Sequence, residues 1–145
     1  MVTQSFWDVQ YIKLVKNDVK FNANHEGGNL DLVIQTGPDE FDLFMRIDTN
    51  TKGHTSWFNF KMHVKEKGRK IKINIVNFRK SNNMFVRGHK PFYKSKKADN
   101  DWVQGGDNIE YKLTRLKYFP VKFISRKKYH TLSFEYTTEY ENDEI

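Results

Sequence analysis

Lys70-Ile71-Lys72-Ile73-Asn74-Ile75-Val76 decides how this chain folds. Ile71, Ile73 and Ile75 stand at every second position, opposite Lys70, Lys72 and Asn74, and an extended strand is the backbone that sends alternate residues to opposite faces. One face is then apolar and the other polar, the pattern of an antiparallel sheet with one side on a core. The same period recurs outward from this stretch. Phe41, Leu43, Met45 and Ile47 alternate with Asp42, Phe44, Arg46 and Asp48, and Phe58, Phe60, Met62 and Val64 share one side of residues 57–64. Ile109, Tyr111 and Leu113 alternate with Glu110 and Lys112, and Leu132, Phe134 and Tyr136 with Ser133 and Glu135. Thr49-Asn50-Thr51-Lys52-Gly53 and Glu66-Lys67-Gly68 read as turns, so three successive strands from Glu40 to Phe78 are expected to form a meander. An earlier strand at Leu30–Gln35 is set off by Thr36-Gly37-Pro38-Asp39.

Nowhere does a helical period persist for three turns; the stretch Tyr111–Tyr118 is read as strand because Phe119-Pro120 follows it. The expectation is an all-β fold, an antiparallel β-sandwich of about seven to nine strands, with residues 1–18 as an N-terminal extension and 19–145 as the sandwich. At 145 residues the chain has the size of one domain, long enough to bury roughly 70% of its unfolded surface. Its 22 aromatics, 12 Phe, 7 Tyr and 3 Trp, supply large buried areas despite 30% charged residues. The absence of Cys excludes disulfides and thiolate metal sites and fits a reducing compartment. Asp8, Lys13, Lys16 and Asp18 interrupt any apolar run in residues 1–20, so neither a secretory leader nor a membrane span is expected, and a cytoplasmic address is.

Charge is unevenly placed. Between Lys65 and Lys97 lie 12 of the 25 basic residues against one acid, Glu66, giving that window +11 within a net charge of +7. Glu135–Glu144 holds five acids and no Lys or Arg. A basic face suits an acidic partner, whether nucleic acid, an anionic surface or an acidic protein tail; it equally serves as a solvated face that keeps a domain soluble. Within the long loop Ser81–Gly106, the best candidate for a functional surface on composition, Pro91-Phe92-Tyr93-Lys94-Ser95-Lys96-Lys97 interleaves basic and aromatic residues. Phe78-Arg79-Lys80 and Phe85-Val86-Arg87 do the same.

Catalytic chemistry finds little to work with. His63-Val64-Lys65-Glu66 has the His-x-x-Glu spacing of a zinc site, but it runs off an alternating strand into a turn between two lysines, and it is read as coincidence. His25, His54, His89 and His130 share no ligand spacing. A Gly-x-Ser-x-Gly elbow and a phosphate-binding glycine loop are both missing from the sequence. No catalytic or metal residue and no cofactor is therefore assigned to this chain.

Several segments, taken in order, resemble one family. His25-Glu26-Gly27-Gly28-Asn29-Leu30 resembles the Phe-Glu-Ser-Gly-Asn-Leu opening of the N-terminal domain of cytosolic carboxypeptidases, zinc metallocarboxypeptidases that act on tubulin. Asp48-Thr49-Asn50-Thr51-Lys52-Gly53-His54-Thr55-Ser56-Trp57-Phe58-Asn59-Phe60 is similar to that family's Asp-x-Asn-Thr-x-x-His-x-x-Trp-Phe-x-Phe. Ile73–Lys80 resembles its Phe-x-Ile-x-Asn-x-x-Lys strand, and Trp102 with Gly105–Tyr111 its Gly-Trp…Gly…Ile-x-Tyr. Gly88–Ser95 departs from the family's Gly-Met-x-Pro-x-x-Tyr-Ser, with His89 in place of Met and Tyr93 and Ser95 not adjacent. Tyr129–Phe134, followed by Asn142-Asp143, resembles the last strand before the peptidase domain.

The resemblance implies a β-sandwich beside a downstream carboxypeptidase domain that removes glutamates from acidic tails, chiefly of tubulin. Zinc, its ligands and the catalytic groups would belong to that domain. Here the expected roles are support of the peptidase domain in cis, with Trp57 or Trp102 at the joint, and attraction of acidic tubulin-like tails by Arg79, Lys80, Lys94, Lys96 and Lys97. Two other readings stay open at this point: a free-standing basic nucleic-acid-binding module, and a carbohydrate-binding sandwich using exposed Trp.

Overall fold

A computed structural model of the chain describes residues 2–6, 9–13, 19–25, 28–46, 57–78, 85, 89–98, 101–113 and 129–145, the first two stretches as backbone alone. Twelve strands run through them: β1 (Val2–Phe6), β2 (Val9–Lys13), β3 (Val19–Asn22), β4 (Leu30–Gly37), β5 (Glu40–Met45), β6 (Lys61–Val64), β7 (Lys70–Phe78), β8 (Phe92–Tyr93), β9 (Val103–Gln104), β10 (Asp107–Leu113), β11 (His130–Thr137) and β12 (Asp143–Glu144). Three of these, β8, β9 and β12, are two residues long, which leaves nine of substantial length. The fold is an all-β sandwich, as the alternation predicts.

One layer is a seven-stranded sheet in the order β1-β2-β4-β5-β7-β11-β10; the facing layer is a three-stranded sheet, β12-β6-β3. Strands β8 and β9 pair separately. Most pairings are antiparallel, but β2–β4 and β5–β7 are parallel. The expected meander is therefore corrected. After β5 the chain crosses to the opposite layer to form β6, then returns to lay β7 beside β5, with Phe41 opposite Ile73 and Leu43 opposite Ile75. The alternation of Met62 and Val64 is the same whether their apolar side meets the core from one sheet or the other, so periodicity alone does not order the strands. Within residues 1–18, β1 and β2 lie at the edge of the large sheet, β2 running along β4. Of the stretch 111–118, residues 114–118 lie outside the described residues.

The core lies between the layers. Phe41, Leu43, Ile71, Ile73, Ile75 and Leu132 from the large sheet meet Val19, Phe21, Met62 and Val64 from the small one, all buried. Phe21 and Phe41 touch across the layers edge to face, with ring centroids 5.1 Å apart. Each such side chain contributes about 1.5–3 kcal/mol through burial.

The outer face of the large sheet is polar but not bare. Asn74 donates to Asp42 (2.9 Å) and Glu40 (3.0 Å) and accepts from Ser133 (2.7 Å), so Asn74 and Asp42 are buried within a satisfied polar cluster. Further along β7, the side-chain amide of Asn77 donates to the Met45 carbonyl and accepts from its N–H, both at 2.9 Å. A side chain thus continues the β5–β7 pairing beyond its last backbone register. At the turn between β6 and β7, Arg69 donates to Asp39 (2.6 Å) and Glu66 (2.7 Å), while buried Thr138 receives the Arg69 N–H and donates to the Glu66 carbonyl.

Candidate functional site

A groove of about 880 Å³ opens along the sandwich where the 57–60 segment, the β8–β9 pair, β11 and the C-terminal strand converge. Its first wall is held by Asn29. The Asn29 side chain accepts from the Asn59 N–H (2.7 Å) and donates to the Trp57 carbonyl (3.1 Å), and its own N–H donates to the Asn59 carbonyl (3.0 Å). The extended segment 57–60 is fixed at both ends by one buried residue. Gly28 is what brings Asn29 there, since a Cβ at Gly28 would collide with the Ala23 carbonyl. From this segment Phe58 and Phe60 turn inward, Phe58 stacking on Phe134 at 6.1 Å, while Trp57 stays 43% exposed.

The second wall is the β8–β9 pair. Tyr93 packs edge to face on Tyr136, centroids 5.1 Å apart, and its ring crosses Gly105 so closely that any Cβ there would strike it. Phe92 and Trp102 stand at the opening, 57% and 56% exposed. Tyr136 lines the groove and is itself buried, and its hydroxyl has no hydrogen-bond partner among the described residues. Burial, followed by the fields of Tyr93, Asp143 and Glu139, raises its phenol well above the ordinary value. Tyr93 is raised in the same way, by burial first and then by Glu139 and Tyr140.

The base of the groove is tied to the C-terminal strand. Asp143, fully buried, accepts the Ser95 hydroxyl at 2.5 Å and the Lys97 N–H at 3.0 Å. Lys96 N–H donates to the Glu144 carbonyl, and Ile145 exchanges two backbone hydrogen bonds with Met62. The loop carrying Lys94, Lys96 and Lys97 is thereby bolted to β12. Around the opening stand Lys61, Lys90, Lys94 and Lys96. Lys61 lies 3.5 Å from Glu144; among the described residues Lys90, Lys94 and Lys96 form no ion pair. The rim is therefore basic.

Of the residues singled out in the sequence, Trp57, Trp102, Lys94 and Lys96 come together on this groove. Lys97 is exposed and contributes its backbone N–H to Asp143. Arg79 and Lys80 lie outside the described residues. Glu66 of the His-x-x-Glu is held by Arg69, and no group of three His, Asp or Glu is placed to hold a metal ion among the described residues. Sequence reasoning did not single out Asn29, Lys90, Tyr136 or Asp143 as a set, because what joins them is convergence of distant strands. Of the aromatics interleaved with basic residues, Phe78 is in the core and Phe85 and Tyr93 pack against it, which leaves Phe92 as the exposed one among them and no continuous base-stacking platform among the described residues. No helix among the described residues is long and apolar enough to cross a membrane.

Fold and site together define a β-sandwich domain with a basic-rimmed apolar groove tied to a C-terminal strand through buried Asp143. The chain belongs to the cytosolic carboxypeptidase N-terminal domain family, whose description matches residues 21–142. It is 31% identical over 131 residues to Cytosolic carboxypeptidase 1 of Gallus gallus, covering 86% of this chain and 11% of that protein. It is 27% identical over 131 residues to Cytosolic carboxypeptidase 2 of Xenopus tropicalis, covering 88% and 13%. With Cytosolic carboxypeptidase 3 of Bos taurus it shares 36% identity over 95 residues, 63% of this chain and 10% of the other. The chain thus spans about a tenth of the length of the curated relatives it matches.

Proposed function

We propose that this chain serves as the non-catalytic N-terminal domain of a cytoplasmic zinc carboxypeptidase, supporting the peptidase domain and drawing acidic, polyglutamylated tubulin-like tails toward it. The observation that supports it most is the family membership over residues 21–142, combined with a rim on which Lys90, Lys94 and Lys96 form no ion pair among the described residues. Zinc would be held, and peptide bonds cut, by the peptidase domain; no residue of this chain is assigned to either task. Trp57 and Trp102, each large and about half exposed, are the side chains we assign to the joint. Positive charge beside a site that handles glutamate chains raises the local concentration of substrate and speeds encounter.

The test uses the longer protein. Reversing Lys94, Lys96 and Lys97 together, with Arg79 and Lys80 in a second set, is expected to lower kcat/KM on a polyglutamylated substrate about tenfold at low salt. The loss should shrink as salt screens the field. Unchanged kcat/KM at low salt would remove the steering role and leave support alone.

A further inference from the structure

We propose that the groove is a docking site for an acidic peptide segment that seats one large apolar side chain against Phe58, Phe134 and Tyr136 while its carboxylates meet Lys90, Lys94 and Lys96. This rests on the acidic-substrate reading above and adds to it a defined place and an anchor. Three observations carry it. The groove is of a size that takes a side chain and adjoining backbone, and Phe58, Phe134 and Tyr136 are among the aromatic rings in its wall. Phe92, apart from the two tryptophans assigned to the joint, leaves more than half its surface uncovered at the opening, unlike the packed rings behind it. Its rim is predominantly positive: three lysines without an ion pair among the described residues, plus Lys61, against the carboxylate of Glu144.

The inner wall adds a reason for a peptide over a hydrocarbon. Tyr136 lines the groove, and its buried hydroxyl lacks a partner among the described residues. A buried donor left unmade is unfavourable, and a peptide carbonyl entering beside the anchor would accept from it. A carboxylate would not suit that position, because Asp143 and Glu139 already act on the same ring. The acidic groups of the ligand therefore belong at the rim and the apolar anchor inside.

The experiment titrates the 145-residue chain into a fluorescein-labelled Glu-rich peptide with one central Phe, at low ionic strength, and reads polarisation. Comparators are the same peptide with Ala for Phe, and a poly-dT oligonucleotide. The Phe peptide is expected to bind about tenfold more tightly than the Ala peptide. The triple variant Lys90→Glu, Lys94→Glu, Lys96→Glu is expected to lose binding. Tyr136→Phe is expected to weaken it severalfold while leaving the urea midpoint unchanged or higher, a combination that a purely structural tyrosine does not produce.

Equal binding of the Ala and Phe peptides overturns the docking site while leaving charge steering intact. Oligonucleotide binding as tight as the Phe peptide's overturns it in favour of nucleic acid, and absence of binding by every probe overturns both the site and the steering. Repeating the titration with the longer protein adds a further outcome: binding by the 145-residue chain that is lost once the peptidase domain is attached overturns the docking site, because the groove is then the joint itself.

Discussion

Asp143→Ala should be among the most damaging single changes in this domain, although the sequence places it in an acidic C-terminal run that looks solvated. Its carboxylate is fully buried and accepts the Ser95 hydroxyl at 2.5 Å and the Lys97 N–H at 3.0 Å. Hydrogen bonds to a charged acceptor are worth about 1.5–3 kcal/mol each, and alanine removes both. The expected loss is about 3–5 kcal/mol, a large share of the ~5–15 kcal/mol that stabilises an ordinary domain. Asp143→Asn keeps the size and one acceptor oxygen, so it should lose about half as much. Urea unfolding followed by tryptophan fluorescence measures this directly. With a slope of about 2 kcal/mol/M, the alanine variant's midpoint should fall by about 1.5 M or more. A double-mutant cycle with Ser95→Ala should return a coupling of about 1 kcal/mol or more. If Asp143→Ala behaves like the exposed control Glu141→Ala, within about 0.5 kcal/mol of the parent, the reasoning is refuted.

Other expectations follow from the same coordinates. Asn29→Ala removes the two side-chain hydrogen bonds that hold residues 57–60; it should cost about 2 kcal/mol and red-shift tryptophan emission as Trp57 loosens. Gly28→Ala should cost about 3 kcal/mol, because the new methyl meets the Ala23 backbone, which cannot swing aside as a side chain would; a thermal melt within a degree or two of the parent would contradict the close approach. In alkali the Tyr136 phenol keeps its proton in the folded state after the unfolded chain, with its ordinary value near 10, has begun to ionise. Its contribution is therefore complete below about pH 10 and is lost as pH rises through the higher folded value, with Tyr93 acting in the same direction. Tyr136→Phe should flatten the alkaline fall in urea midpoint and, by removing an unpartnered hydroxyl, leave neutral-pH stability equal or slightly higher.

Much of the layer structure was legible because periodicity is a local property. Ile71, Ile73 and Ile75 are buried as their alternation requires, and Lys70 and Lys72 are exposed. The opposite face broke the rule at Asn74 and Val76, both buried: Asn74 sits within the Asp42–Glu40–Ser133 cluster, a partnership across three strands that no single strand records. Strand order was misread as a meander for the same reason, since pairing of β5 with β7 depends on where β6 goes and not on how β6 alternates. At the site, Lys94, Lys96 and Trp102 were visible as residue types in a charged, aromatic loop, and Trp57 at the start of the 57–64 segment. The groove they border was not, because its walls draw on residues from His25 to Ile145. Gly28-Asn29 was noticed as part of a familiar segment, and the structure supplies its physical reason: a close backbone approach and a two-ended clamp on Trp57–Asn59.

The crossing of β6 to the opposite layer has a kinetic consequence. Because β5 and β7 are neighbours in one sheet while the strand between them in sequence belongs to the other, the central parallel pair joins strands that are not consecutive in the chain. Such non-local, parallel pairing carries its chain-closure entropy before contacts repay it, so folding should be slow for a chain of this length and the two layers should melt as one unit. A domain that assembles this way exposes its aromatic interior for a long interval during synthesis, and its yield should depend more on what it meets in that interval than on its final stability.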